Sequence, residues 1–193
     1  MNFLPVLSLL LKFIGFFIYG RTIIKKTTKP AKVSWIAWWS LDVLAFASMY
    51  AKHALNYQII AAVAGGAIIV FLALKYGEKG WTKLDVFCLA GTATGMILWW
   101  IYQEALFGII VSQVVMFIAS IPTFVSTWKR PSGENKLAWT FYCLSSVCNV
   151  GNVIFVGDWR LASCAQPIVG FICDSVITLF AFLPGKKEKL SRD

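Results

Sequence analysis

The feature that most constrains this chain is a succession of seven long apolar runs, approximately 3–23, 33–52, 57–75, 83–102, 105–128, 137–157 and 162–183. A helix of about twenty residues rises 1.5 Å per residue and so crosses a hydrocarbon layer of ~30 Å. The chain is 59% apolar and 14% charged, against ~45–50% and ~25% in ordinary soluble domains. A water-soluble core cannot absorb a series of such runs. Barrel strands would alternate apolar and polar residues over about ten positions, whereas these runs are continuously apolar, which selects helices. The short connections leave no room for a soluble domain. The sequence therefore predicts an all-α polytopic membrane protein, a single membrane domain over 1–193 with seven transmembrane helices.

Net charge of +9 and a pI near 9.4 would suggest phosphate neutralisation in a soluble protein. Here the placement of the basic residues argues against a nucleic-acid partner. Arg21, Lys25, Lys26, Lys29 and Lys32 surround the first connection; Lys75, Lys79 and Lys83 the third; Lys129, Arg130 and Lys136 the fifth; Lys186, Lys187, Lys189 and Arg192 lie in the tail. These are fifteen of the eighteen basic residues. The positive-inside rule then predicts a cytoplasmic-membrane protein with its N-terminus outside and its C-terminus in the cytoplasm. The first run carries its positive charge after the apolar stretch rather than before it, so it reads as a retained helix and not a cleaved signal. Trp35, Trp38, Trp39, Trp81, Trp128 and Trp139 fall towards the inner boundary, and Trp99, Trp100, Tyr102 and Trp159 towards the outer one, as interfacial anchors in a lipid bilayer.

Sliding the chain by 104 residues superimposes segments 1 and 2 on segments 5 and 6, matching Phe3/Phe107, Ser8/Ser112, Phe13/Phe117, Ile14/Ile118, Lys25/Lys129, Lys32/Lys136, Trp35/Trp139 and Val43/Val147. A shift of 108 brings Gln58 onto Gln166 at the start of segments 3 and 7, and Tyr76-Gly77-Glu78-Lys79 beside Pro184-Gly185-Lys186-Lys187. The pattern describes two three-helix repeats, 1–80 and 104–185, joined by a linker helix, 81–103, and followed by a basic cytoplasmic tail, 186–193. One spacer crossing gives the repeats the same orientation, so they are expected to be parallel and related by an axis along the membrane normal.

This three-plus-one-plus-three layout, with a basic loop and a Trp opening each second helix, resembles the SWEET and PQ-loop transporter class and is similar in layout to the nicotinamide riboside transporter family. The Pro-Gln dipeptide of the PQ-loop class is absent, and Gln166-Pro167 has the reverse order. The resemblance implies a solute pocket between the two triplets, with Asn149 and Asn152 nearest to the positions that line it.

Lys12, Asp42 and Asp174 fall at similar depth near the middle of segments 1, 2 and 7. A charge at the bilayer centre costs ~2.5–3.5 kcal/mol on insertion scales, so such groups face a partner or a water-filled cavity. Lys12 and Asp42 share a triplet and are expected to form a buried ion pair that fixes assembly. Asp174 is then left without a cation. An unpaired carboxylate in a low-dielectric interior favours its protonated form, which makes Asp174 a candidate for proton coupling; capping nearby hydroxyls is the structural alternative. Asn149 and Asn152 share a helix face with Ser145 and, with Gln113, Gln166 and Asp174, form the candidate substrate-binding set. Interhelical hydrogen bonding, worth ~0.6 kcal/mol per bond on average, is the alternative role for these amides. Trp38 and Trp39 can stack on a solute, though anchoring is the reading their position favours. Pro122 and Pro167 permit local bending.

Segment 3 carries Ala61, Ala62, Ala64, Gly65, Gly66 and Ala67, and segment 4 carries Gly91-Thr92-Ala93-Thr94-Gly95. Small residues at this spacing allow close helix packing, within the chain or in a homo-oligomer. The one histidine, His53, cannot build a metal centre by itself, and no cofactor fingerprint is present. The five cysteines, Cys88, Cys143, Cys148, Cys164 and Cys173, show no paired spacing. The sequence thus points away from an enzyme and towards a carrier for a small polar solute, working by alternating access. A noncatalytic scaffold or subunit of a larger membrane complex is the alternative.

Overall fold

The computed structural model describes residues 2–77 and 83–183. Lys79, Trp81 and the basic tail 186–193 lie outside the described residues. Seven α-helices follow one another: α1 (Leu4–Ile24), α2 (Lys32–Ala51), α3 (Tyr57–Tyr76), α4 (Lys83–Tyr102), α5 (Ala105–Lys129), α6 (Lys136–Val156) and α7 (Leu161–Phe182). Each apolar run becomes one helix, with ends within a residue or so of those read from the sequence. Five of them, α1, α3, α5, α6 and α7, are long and apolar enough to cross a membrane. Several such helices fit an integral membrane protein. Among the described residues α2 falls short of that measure, diluted by Lys32, three serines, three tryptophans and Asp42.

Local chemistry sets the helix boundaries. The side chains of Asn56, Glu104 and Asn135 accept hydrogen bonds from the free amides of Ile59, Phe107 and Ala138 and so begin α3, α5 and α6. Gly157, at φ 71°, closes α6 in a left-handed turn that other residues adopt at a cost.

Packing is organised around α1 against α6 and α3, and α2 against α5 and α3, with α7 resting on α5 and α6; α4 lies outside, on α5 and α2. Small residues set the approach distances: a Cβ on Gly65 would overlap the Phe16 ring, and one on Gly15 would sit 2.6 Å from the Tyr142 ring. In α4, Gly95 packs close to Val111 of α5, while Gly91 faces open space. Large apolar side chains point outward, among them Phe17, Phe71 and Phe155, each about two-thirds exposed. A soluble protein does not present so many isolated apolar groups around its whole girth, but a hydrocarbon solvent accepts them. Inside, an aromatic cluster of Phe16, Tyr19, Trp35, Trp38, Trp139 and Tyr142 fills one end of the bundle. A smaller cluster of Ala45, Met49, Ile59, Ala62, Ile109 and Ala162 fills part of the other.

Candidate functional site

Between the two clusters lies a cavity, walled more by apolar than by polar surface, to which every helix except α4 contributes among the described residues. Its walls include Lys12 and Phe16 from α1, Trp35, Trp38 and Asp42 from α2, Gln58 from α3, Gln113 and Ser120 from α5, Trp139 and Tyr142 from α6, and Gln166, Cys173 and Asp174 from α7. The space open to the centres of water-sized molecules is ≈ 80 Å³. One water needs roughly 10–15 Å³ by that measure, so the void has room for several waters or a small solute.

The ion pair differs from the sequence expectation. Lys12 Nζ lies 3.0 Å from Asp174 Oδ2, and both side chains are largely buried, at 14% and 11% exposure. Ser146 Oγ donates to the same carboxylate oxygen at 2.6 Å, and the Lys12 ammonium also stands over the Tyr142 ring, 4.7 Å from its centroid. Lys12 therefore pairs with Asp174 and not with Asp42. Sequence gives depth along a helix but not which way the side chain faces, and Asp42 lines the cavity without reaching Lys12. Asp174 is thus the neutralised carboxylate, and the premise that it lacks a cation does not hold. Asp42 lines the same void, half-buried, with no ion-pair partner within 4.0 Å among the described residues.

Towards the end that bears His53, the cavity is closed by amides. Gln58, 1% exposed, donates through Nε2 to Ser145 Oγ at 3.1 Å and Ser146 Oγ at 2.9 Å. Its Oε1 accepts from Asn149 Nδ2 at 2.8 Å and from Gln166 Nε2 at 3.2 Å. Gln166 Oε1 in turn accepts from Asn56 Nδ2 at 2.8 Å and Asn149 Nδ2 at 3.2 Å. Satisfied networks of this kind hold a single arrangement of the helices that carry them. Beyond this wall opens a second space of ≈ 130 Å³, measured in the same way and lined by His53, Asn56, Asn149, Asn152, Asp158 and Ser163. Asn152 accepts there from Asn2 Nδ2 at 2.6 Å. The five candidate binding residues therefore divide: Gln113, Gln166 and Asp174 line the central cavity, whereas Asn149 and Asn152 line the second space. Gln166 and Asn149 meet in the wall between.

Towards the other end, the floor of the cavity is aromatic. Trp35 and Trp38 stand edge to face at 5.3 Å, Trp139 and Tyr142 likewise at 5.3 Å, and Trp38 reaches Trp139 at 6.1 Å. These tryptophans are 6%, 8% and 2% exposed for Trp35, Trp38 and Trp139, so they are not the interfacial anchors that their sequence position suggested. Trp39 is also turned inward, its indole N–H donating to the Val63 carbonyl at 3.0 Å. Trp128, Trp100 and Trp159, at 46%, 71% and 61% exposure, have the outward position of anchors. Beneath the floor, Glu134 Oε2 accepts from the Tyr19 hydroxyl at 2.9 Å and from the Trp139 indole at 2.8 Å. The space below it, between Lys29, Thr127, Arg130 and Glu134, has room for about one water, ≈ 10 Å³.

Gln58, Ser146 and Glu134 were not among the candidate residues. Gln58 had a signal, its match with Gln166 at an offset of 108. Glu134 had none, since nothing in a loop sequence says that its carboxylate turns back beneath a tryptophan.

Comparison with known proteins gives no match among family models, curated proteins or solved structures. The site therefore has to be read from its own chemistry. What the geometry defines is a membrane-type helical bundle around a cavity that carries the Lys12–Asp174 ion pair and Asp42.

Proposed function

We propose that this protein is a membrane transporter that carries a small polar solute by alternating access between two three-helix units, α1–α3 and α5–α7, with α4 as the linker. The observation that carries the proposal is the central cavity, built by both units and closed at one end by hydrogen-bonded amides and at the other by a latched aromatic floor. A rigid scaffold has no use for a void holding three ionisable groups at the costliest depth of a bilayer.

The packing supports the two-unit reading. Exchanging α1 with α5, α2 with α6 and α3 with α7 turns the α1/α6 contact into α5/α2, the α1/α3 contact into α5/α7, and the α2/α3 contact into α6/α7. The offset-matched Gln58 and Gln166 touch each other across the centre, as equivalent residues do near a twofold axis. Trp35 and Trp139, matched at 104, both enter the aromatic floor. On this reading all seven helices cross the bilayer with the Glu134 end in the cytoplasm and the N-terminus outside, an orientation that the basic loops support.

Cysteines introduced at Asn56 and Gln166 in a background free of other cysteines provide the test. A reversible bifunctional thiol reagent should lock the wall at the His53 end and stop solute counterflow in proteoliposomes, and reduction should restore it. Counterflow that continues through the cross-linked protein would exclude alternating access.

A further inference from the structure

The central cavity has a charge that its own residues do not balance. It is lined by one ammonium, Lys12, and two carboxylates, Asp42 and Asp174. Lys12 is committed to Asp174 at 3.0 Å, which leaves the formal charge of Asp42 over. A lone anion in a low-dielectric setting near mid-membrane is expensive, so a site of this kind is completed either by a proton or by a cation, and the walls favour a cation.

The remaining walls decide which sort of cation. The indole N–H of Trp38 donates to Ser120 Oγ at 3.1 Å and that of Trp139 to Glu134. Both polar tips are thus taken, and the rings of Trp38 and Trp139, with Phe16 and Trp35, bound the void as aromatic surface. Aromatic faces attract a desolvated cation by ~2 kcal/mol or more and accept an apolar body at the same time. A metal ion would need a shell of ligands, and among the described residues no three His, Cys, Asp or Glu side chains gather to provide it.

Resting on the transport reading for its purpose but not for its physics, we infer that the central cavity binds a small organic monocation, its charged nitrogen at Asp42 and its apolar or planar body against Trp38 and Trp139. The void corresponds to about five to eight waters, which matches a solute of roughly that many non-hydrogen atoms.

The test uses three probes of similar size and different charge, benzylammonium, benzamide and benzoate, titrated by calorimetry into the full-length protein in detergent. Benzylammonium should bind at least tenfold more tightly than benzamide, and benzoate more weakly than either. Asp42→Asn should remove that tenfold preference while leaving benzamide binding unchanged, and Asp42→Glu should keep it, which guards against a variant that simply fails to fold. Equal binding of benzylammonium and benzamide, binding of none of the three, or a preference that survives Asp42→Asn would overturn the inference. The first of these is the result expected if a proton neutralises Asp42 instead. Proteoliposome counterflow separates the two proposals. A protein that binds the cation but moves nothing retains this site and loses the transport reading, whereas one that moves only neutral solutes does the reverse.

Discussion

Removing either partner of the Lys12–Asp174 pair provides the most direct check on the electrostatics of the bundle. In Lys12→Met, Asp174 keeps the Ser146 hydroxyl but loses its cation, and a charge is stranded in the interior. Breaking a buried pair from one side costs about 3–5 kcal/mol. The side chains here retain 14% and 11% exposure and face a void with room for several waters, so the lower end, about 3 kcal/mol, is expected. For a chain of this length one kcal/mol moves the midpoint by about 2–4 °C, giving a fall of about 6–12 °C. Asp174→Asn should cost less, because Lys12 then keeps Asp42 of the same void as a counter-charge. The double variant Lys12→Met/Asp174→Asn removes both partners of the pair and should recover at least half of the loss seen in Lys12→Met. Thermal unfolding in one detergent, followed by intrinsic fluorescence, measures all four proteins as a double-mutant cycle. Strictly additive losses would mean that the two groups do not interact, and the account of the cavity's charge given above would fall with them.

Three further outcomes follow from the same geometry. Glu134→Ala removes the acceptor of two hydrogen bonds beneath the aromatic floor. It should speed modification of Cys173, as the one remaining cysteine, by a charged thiol reagent added from the Glu134 side; an unchanged rate would show that the floor is not held from below. Gly65→Ala places a methyl group on the Phe16 ring and should lower stability by about 1–3 kcal/mol, which thermal unfolding will reveal, whereas Gly91→Ala, facing open space, should leave the midpoint unchanged or slightly raised. At the α6–α7 connection the Arg160 guanidinium, followed by the Ser163 hydroxyl, holds the Asp158 carboxyl well below the usual carboxylate range. This lowered titration stabilises the fold above the ordinary aspartate range, a contribution lost as pH falls through the depressed value. Arg160→Gln should return the Asp158 midpoint, followed by carbon-detected NMR, towards its ordinary value.

The helices were legible because a run of some twenty uncharged residues has few stable solutions in lipid, and caps such as Asn56 and Asn135 fix where each begins. The depth of Lys12, Asp42 and Asp174 was legible for the same reason, since position along a helix converts directly into height. Direction around the helix axis was not. That is why Lys12 was assigned to its sequence neighbour Asp42 when it reaches Asp174, 162 positions away. Tryptophan near a helix end is ambiguous in the same way, because an anchor and a cavity floor occupy the same height and differ only in facing. Gln58 shows what a repeat adds: its offset match with Gln166 was visible, and the contact between them could have been anticipated from the symmetry that the match implied.

The contact between α1 and α6 is stitched at two levels. Ser8 Oγ donates to the Ser145 carbonyl at 2.8 Å while Ser145 Oγ donates to the Ser8 carbonyl at 2.7 Å, and farther along, the Tyr142 ring lies on the bare backbone of Gly15. Sliding one helix past the other by a fraction of a turn would sacrifice both reciprocal bonds and drive the ring into the next side chain. A small roll of one helix over the other disturbs them far less. The seam is therefore a pivot rather than a slip plane, and any large rearrangement of this bundle has to turn about it.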